Sequence, residues 1–276
     1  MSDLHLKMLG TGGAFVDFRE NYHNNAIVET SRGWVMIDCG GTGPQSLKEL
    51  GIKPWEIVAV LVTHVHGDHV NGLEQLTYER FYTGPKGPGW LKTTVVAPDD
   101  VLHGLEMSLW AGFEGLTMQS GEIVQDGLSE CFDMVSSEDQ EIFIGDVVFK
   151  FHRTPHVEGS GGSKPSYGVS IRRESASLYF SSDTTFRPTV GEMPEGEHLI
   201  LHDCTFSPWY KGTVHTHYSD LLTLPSDVRS RMVLMHHNKV PRHIDVRQDG
   251  FLGALSRHEG VRVTQEGIPS HYKAAV

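Results

Sequence analysis

The chain is short of several things, and each shortage excludes something. Its longest apolar run, Ile57–Val62, is strand-length, far below the ~20 residues that cross a bilayer, so no membrane association is expected. Three cysteines, Cys39, Cys131 and Cys204, form no pairing pattern in 276 residues, which argues against a disulfide framework and for a reducing compartment. The opening Met1-Ser2-Asp3-Leu4-His5 has neither the basic flank nor the apolar stretch of a signal peptide, and a cytoplasmic address is the simplest expectation. Basic residues are outnumbered, 23 Lys and Arg against 35 Asp and Glu for a formal net charge of −12, and they nowhere cluster. A protein that grips a long nucleic acid needs a basic stripe to neutralise phosphates. A large polyanion is therefore not the expected partner, whereas a small phosphate ester is compatible if bound cations supply charge locally. Linkers and low-complexity blocks are missing too. With ordinary hydrophobic (38%) and charged (21%) fractions, one domain over residues 1–276 is expected.

Histidine is what the chain has in quantity, 17 in all. Four potential metal ligands, His64, His66, Asp68 and His69, directly follow Ile57–Val62. That run is rich in β-branched residues and reads as a buried strand, so the four leave a strand's carboxyl end together. In a tight loop His64 and His66 can face one way and Asp68 and His69 another, which suits two adjacent ions. Imidazole beside carboxylate favours zinc or a similar divalent cation, and manganese is also accepted.

Along the rest of the chain, Leu4–Leu9 alternates as a first strand and meets Gly10-Thr11-Gly12-Gly13. No helix suited to a dinucleotide fingerprint follows, so a tight turn whose backbone approaches the site is the better reading. Asn21–Asn25 could line a pocket or form an ordinary polar loop. After strands Ala26–Glu29 and Trp34–Ile37, Asp38 could orient a metal-bound histidine or cap a helix over Pro44–Leu50. A helix is expected over Asn71–Tyr82. The Gly/Pro stretch Thr83–Trp90 cannot continue it and forms a lid or a connector. Strand Thr93–Ala97 precedes a helix capped by Asp99 or Asp100 and running to about Trp110. Strands follow at Phe132–Val135, Glu141–Ile144 and Val147–His152. A flexible Glu158–Lys164 comes next, then a hairpin of Tyr167–Arg173 with Ser177–Phe180. His198–His202 is short and apolar, Ser219 is positioned to cap a short helix, and Met232–Met235 reads as a buried strand. A short apolar strand ending in His or Asp recurs at His64–His69, His156, Asp183 and His236. Ligands gathered from several strand ends on one rim make a rigid metal site.

These segments resemble the metallo-β-lactamase superfamily, whose signature is seen here as His64-x-His66-x-Asp68-His69. Leu9–Gly12, Ile37–Gly40, Thr63–Gly72, Ser182–Thr184 and His202-Asp203-Cys204-Thr205 are similar to the ribonuclease Z-like phosphodiesterase branch. The last segment carries Asp where that branch has Glu. The resemblance implies a four-layer αββα sandwich of two mixed sheets. It implies one ion held by His64, His66 and His156, a second held by Asp68, His69 and His236 (with His237 a rival), and Asp183 bridging both. It also implies a further histidine acting on the phosphate or the leaving group. His217 and His215 compete for that role, His217 being preferred, with Asp203 to orient it. Pairing of two copies is implied as well, with residues 84–110 as contact or lid.

Ribonuclease Z grips transfer RNA with a long arm between its third and fourth ligand motifs. Here only 27 positions separate His156 from Asp183, and they are consumed by the Gly-rich turn and two strands. The resemblance is thereby narrowed to enzymes of small phosphodiesters, such as cyclic mononucleotide phosphodiesterases and the anti-Pycsar enzymes of phages and bacteria. The expected reaction is in-line attack on phosphorus by a hydroxide shared between two ions roughly 3.5–4 Å apart, with Asp68 taking the water's proton. Three alternatives stay open: a transfer-RNA 3′-processing endonuclease, a carbonyl hydrolase such as a lactonase or β-lactamase, and a non-catalytic scaffold. The scaffold is disfavoured because every ligand position is filled.

Overall fold

The computed structural model describes residues 3–85, 91–118, 120–137, 139–159, 162–186, 197–208 and 214–267. Successive side chains of a strand point to opposite faces, and the buried residues divide accordingly. Leu6, Met8, Val28, Val35, Ile37 and Leu61 share one apolar cluster with Phe149, Phe151, Val169, Ile171, Phe180, Leu201 and Met235. Their strand neighbours Ile27, Met36, Val60 and Val95 point the other way, onto Leu47, Leu73, Leu76, Phe81, Leu105 and Phe113. On the far side Tyr179, Ile200, Met232 and Leu234 meet Leu221, Leu224, Val228 and Phe251. Two sheets therefore pack face to face, and each is covered outside by helices. This is the αββα sandwich. Truncating a residue of the shared face, Phe149 for example, would cost about 3–5 kcal/mol.

Each sheet has seven strands among the described residues. The first runs Gly260–Val263, Leu4–Met8, Ala26–Thr30, Gly33–Ile37, Ile57–Leu61, Thr93–Ala97, Phe132–Ser136. The second runs Gly253–Ala254, Met232–Met235, Leu199–Asp203, Ala176–Phe180, Tyr167–Arg173, Val147–Arg153, Ile142–Ile144. Strands from Gly33–Ile37 through Phe132–Ser136 are parallel, as are Ala176–Phe180, Leu199–Asp203 and Met232–Met235. Val147–Arg153 points the same way as these last, because it is antiparallel to Tyr167–Arg173, itself antiparallel to Ala176–Phe180. The carboxyl ends of the two sheets meet at one rim, where Tyr167 N–H donates to the Thr63 carbonyl at 3.1 Å.

Several local expectations are corrected. The helix after the histidine loop spans Leu73–Thr83, because Gly67–Val70 forms a short helix of its own with Asn71 as its C-cap. Asp99 and Asp100 do not cap the helix Asp99–Phe113. Pro98 is its N-cap residue, and both carboxylates lie inside the first turn, where the helix dipole favours negative charge. Ser219 is likewise not a cap: His217 is, and its ring accepts from Ser219 N–H. Part of the stretch expected to be flexible pairs as a hairpin of Val157–Gly159 with Gly162–Lys164, and no arm is found among the described residues between His156 and Asp183. Residues 86–90 of the expected lid lie outside the described residues. No described helix is long and apolar enough to cross a membrane.

Candidate metal centre

Six strand ends deliver the site. Ile37 is followed by Asp38, Leu61 by the Thr63–His69 loop, Arg153 by His156, and Phe180 by Ser181-Ser182-Asp183; Leu199–Asp203 ends on Asp203 and Met235 is followed by His236. Three of the residues at these ends adopt left-handed backbone: Asp38 at φ 59°, Ser182 at 52° and His236 at 58°. Such conformations cost about 1–3 kcal/mol each and persist only where their surroundings fix them. Here the fixing bonds are visible. His236 N–H donates to Asn24 Oδ1 at 3.2 Å, Thr63 Oγ1 and Ser182 Oγ are hydrogen-bonded at 2.7 Å, and the Asp38 carboxylate accepts from Thr63 N–H and Oγ1–H, each at 2.8 Å.

Two four-residue donor clusters result, His64–His66–His156–Asp183 and Asp68–His69–Asp183–His236, and a third group, Asp203–His215–His236, shares His236 with the second. In the first, His66 Nδ1 lies 3.2 Å from His64 Nε2 and 3.0 Å from His156 Nε2. Asp183 Oδ2 stands 3.7 Å from both His64 Nε2 and His156 Nε2. In the second, Asp183 Oδ1 is 3.2 Å from His69 Nε2 and 3.1 Å from His236 Nε2. Asp68 Oδ2 is 3.4 and 3.5 Å from the same two nitrogens. The two oxygens of Asp183 thus face different clusters. Ligands at about 2.0–2.1 Å in a tetrahedron stand about 3.3 Å apart, and the observed spacings bracket that value.

A stronger test of fit comes from atoms left without hydrogen bonds. His69 Nε2, His236 Nε2 and Asp183 Oδ1 are buried and have none of proper geometry. The Nδ1–H of His69 is committed to Asp38 Oδ2 at 2.8 Å, so in the neutral ring Nε2 carries a lone pair aimed at a carboxylate lone pair. Positive charge must lie between them. Burial opposes charging either ring, yet Asp183, Asp68 and Asp38 hold His69 well above the usual range, and Asp183, Asp203 and Asp68 do the same for His236. In the first cluster burial wins, pushing His64 and His156 down and His66 down to about 4. Imidazoles gathered beside carboxylates that need a counter-charge are donors of the kind that suit divalent cations.

The outward nitrogens are also held. His156 Nδ1 pairs with the Val214 carbonyl at 2.8 Å, His64 Nδ1 with Thr63 Oγ1 at 3.1 Å, and His236 Nδ1 lies 3.4 Å from Asp203 Oδ1. Such partners set tautomer and ring orientation. Asp38 therefore orients His69, a candidate ligand, and does not cap a helix, since Thr42 occupies the cap position before Gly43–Glu49. Within Asn21–Asn25 the asparagines act as braces: Asn21 holds Thr11, and Asn25 accepts from Gly40 N–H at 2.9 Å and donates to the Asp68 carbonyl at 3.2 Å. Gly13 shows the backbone approach expected of its turn, for a Cβ there would stand 3.0 Å from His236 Cε1.

Of the two rival histidines, His215 adjoins the clusters. Its Nδ1 is 3.0 Å from Asp203 Oδ2 and 3.8 Å from Asp183 Oδ2, and its ring stacks on His236 at 4.7 Å between centroids. Burial opposes its protonation, but Asp203 holds it above the ordinary range. Burial likewise opposes ionisation of Asp203, and His215 brings that carboxyl down to about 2. The preferred His217 is instead engaged by Ser219, Oγ at 2.7 Å and N–H at 3.2 Å. Spacing leaves the two undecided, and the structure adds that His217 is the N-cap of Tyr218–Leu221 while lining the same cavity as His215. His237 points into the outer apolar layer beside Phe206, where burial pushes it down to about 4. Sequence reasoning missed Thr63, Ser182 and Asn24 as braces. The first two abut ligand motifs, and that adjacency was the available signal.

A sequence profile described as "Anti-Pycsar protein Apyc1" matches residues 4–261. The anti-Pycsar protein Apyc1 of Paenibacillus sp. (strain J14) is 34% identical over 245 residues, covering 85% of this chain and 89% of that protein. Among solved structures, the metallo-β-lactamase fold protein YhfI from Bacillus subtilis superimposes with a TM-score of 0.70 at 15% identity, over 95% of this chain and 100% of its own. A diphosphatase of the PhnP family does so with a TM-score of 0.66 at 15% identity, over 99% of each chain. These two likenesses establish the metallo-β-lactamase fold.

Proposed function

This chain belongs to the anti-Pycsar protein Apyc1 family and is a metal-dependent hydrolase, and on that footing we propose that it cleaves small phosphodiesters, 3′,5′-cyclic nucleotides first among them. The observation that carries the reading is His215. It stands between the donor clusters and a cavity of about 410 Å³, with Asp203 behind it at 3.0 Å. A departing alkoxide needs a proton at that place, whereas a donor set alone would serve carbonyl and phosphoryl substrates alike.

His64, His66 and His156 with Asp183 Oδ2 would hold one ion, and Asp68, His69 and His236 with Asp183 Oδ1 the other, zinc being our assignment for both. When bound, divalent ions supply a water of lowered pKa and positive charge against the phosphate oxygens. Asp68 takes the proton of the attacking water. Asp203 accepts from His215 Nδ1–H, orienting the ring and favouring its protonated form, and Nε2 of that ring is the atom that delivers a proton to the leaving ribose oxygen. Family membership favours a cyclic mononucleotide over a polymer, as does the acidic balance of −12. Met107 (72% exposed) and Trp110 (50%) on the helix Asp99–Phe113 support the pairing of two copies, which light scattering tests.

The zinc-loaded protein should hydrolyse 3′,5′-cyclic nucleotides and bis-p-nitrophenyl phosphate while leaving nitrocefin intact. His215→Ala should lower kcat on cyclic nucleotides by about 10²–10⁴-fold, whereas His217→Ala should cost little. Turnover of nitrocefin without turnover of any phosphodiester would reject the assignment.

A further inference from the structure

The cavity beside the second cluster is larger than the reacting phosphate needs. His215 and His236 line its inner side, and Phe15, Phe206 and Lys239 are on its walls. Phe206 is fixed, its ring 4.9 Å from Tyr218 and 5.8 Å from His237 between centroids. Phe15 is the opposite case. Gly13 brings the chain against His236, and the following turn is closed by Val16 N–H on the Gly13 carbonyl at 3.1 Å. Val16 is buried against Gly12. The turn is thereby pinned on both sides of Phe15, and its ring is left 97% exposed.

A single exposed apolar side chain is ordinary on a protein surface. Phe15 differs in its place, on the wall of this cavity and two residues from the glycine that touches a proposed ligand. A phenyl face presented to water at the mouth of a phosphate site is the surface on which nucleic-acid bases stack. We propose that Phe15 is a substrate-binding residue that stacks on the base of the bound nucleotide while the phosphate sits at the metal centre. This rests on the phosphodiesterase reading above and extends it to the part of the substrate that the metal centre does not touch.

The test compares the wild type, Phe15→Ala and Phe15→Trp, all zinc-loaded, on a 3′,5′-cyclic nucleotide and on an abasic ribose 3′,5′-cyclic phosphate. Base–aromatic stacking losses correspond to about 5- to 150-fold in affinity. Phe15→Ala should raise KM for the nucleotide by a factor in that range beyond any change on the abasic substrate, with the effect on KM and not kcat, and Phe15→Trp should restore it. Equal KM values for wild type and Phe15→Ala overturn the inference and leave the function standing. So does an equal loss on both substrates, which would mean that the turn itself was disturbed. A drop in oligomeric mass without a change in KM would make Phe15 a subunit contact and also overturn it. A wild type that hydrolyses aryl phosphodiesters but no cyclic nucleotide removes both the reading and the inference.

Discussion

Asp38→Asn isolates one bond of the metal centre. Asp38 accepts from Thr63 N–H, Thr63 Oγ1–H and His69 Nδ1–H, each at 2.8 Å. Asparagine tolerates the left-handed φ of 59° and keeps one carbonyl oxygen for Thr63 N–H. Its amide nitrogen must then take the place of Oδ2, donor against donor with His69 Nδ1–H. The ring can relieve the clash only by turning or by moving its hydrogen to Nε2, and either change removes Nε2 as a ligand. Losing a carboxylate that orients a metal-bound histidine costs about 10–100-fold in metal affinity, or about 1.4–2.7 kcal/mol. The stability of the metal-free protein should change much less, because burial pushes the Asp38 carboxyl up and so already penalises its charge. The assay is zinc binding by chelator competition, with bound metal counted by mass spectrometry and unfolding followed by circular dichroism. One of two zinc equivalents should fall in affinity by that factor, with the other less affected. Unchanged affinity for both equivalents in a folded variant would refute the role given to Asp38.

Zinc at about 100 times its dissociation constant should stabilise the metal-free protein by about 2.7 kcal/mol, seen as a rise in Tm; no rise would deny that the donor clusters bind it. Gly40→Ala should disturb the histidine loop, since a Cβ there would lie 1.9 Å from the Asp68 carbonyl oxygen, backbone that cannot swing aside; a loss of at least 1–3 kcal/mol is expected, with weakened zinc binding, and a wild-type Tm would contradict the packing. Burial holds the imidazoles of His152 and His202 below their ordinary range, so the unfolded chain takes up protons first as the pH falls. Their stabilising contribution is complete above about pH 6.5 and is lost below it, by at most ~1.4 kcal/mol per pH unit per group. Urea unfolding of His152→Gln and His202→Gln should therefore show a flatter decline between about pH 7 and 5 than the wild type, and parallel curves would exclude the effect.

Several strands were legible in the chain as short apolar runs, whereas the layering of the sandwich was implied by the family resemblance, and the alternation of strand side chains accounts for it. Val35 and Ile37 belong to the inner cluster and Met36 to the outer one, as their spacing requires. The candidate ligands were legible from strand ends: His64, His156, Asp183 and His236 each follow a short apolar strand, and parallel strands bring their carboxyl ends to one rim. Sequence by itself left three matters open. Whether Asp38 caps a helix or holds His69 depended on the Thr63 loop arriving beside it from a neighbouring strand. Whether His215 or His217 reaches the clusters depended on His217 becoming a helix cap, a distinction between residues two positions apart that spacing cannot make. That Asn24 would brace His236 across a separation of 212 residues depended on the two sheets closing on each other. Local pattern fixes which face a side chain takes within its strand, but the angle at which a ring enters a shared site is set by contacts between distant segments, and those exist only once the sandwich has formed.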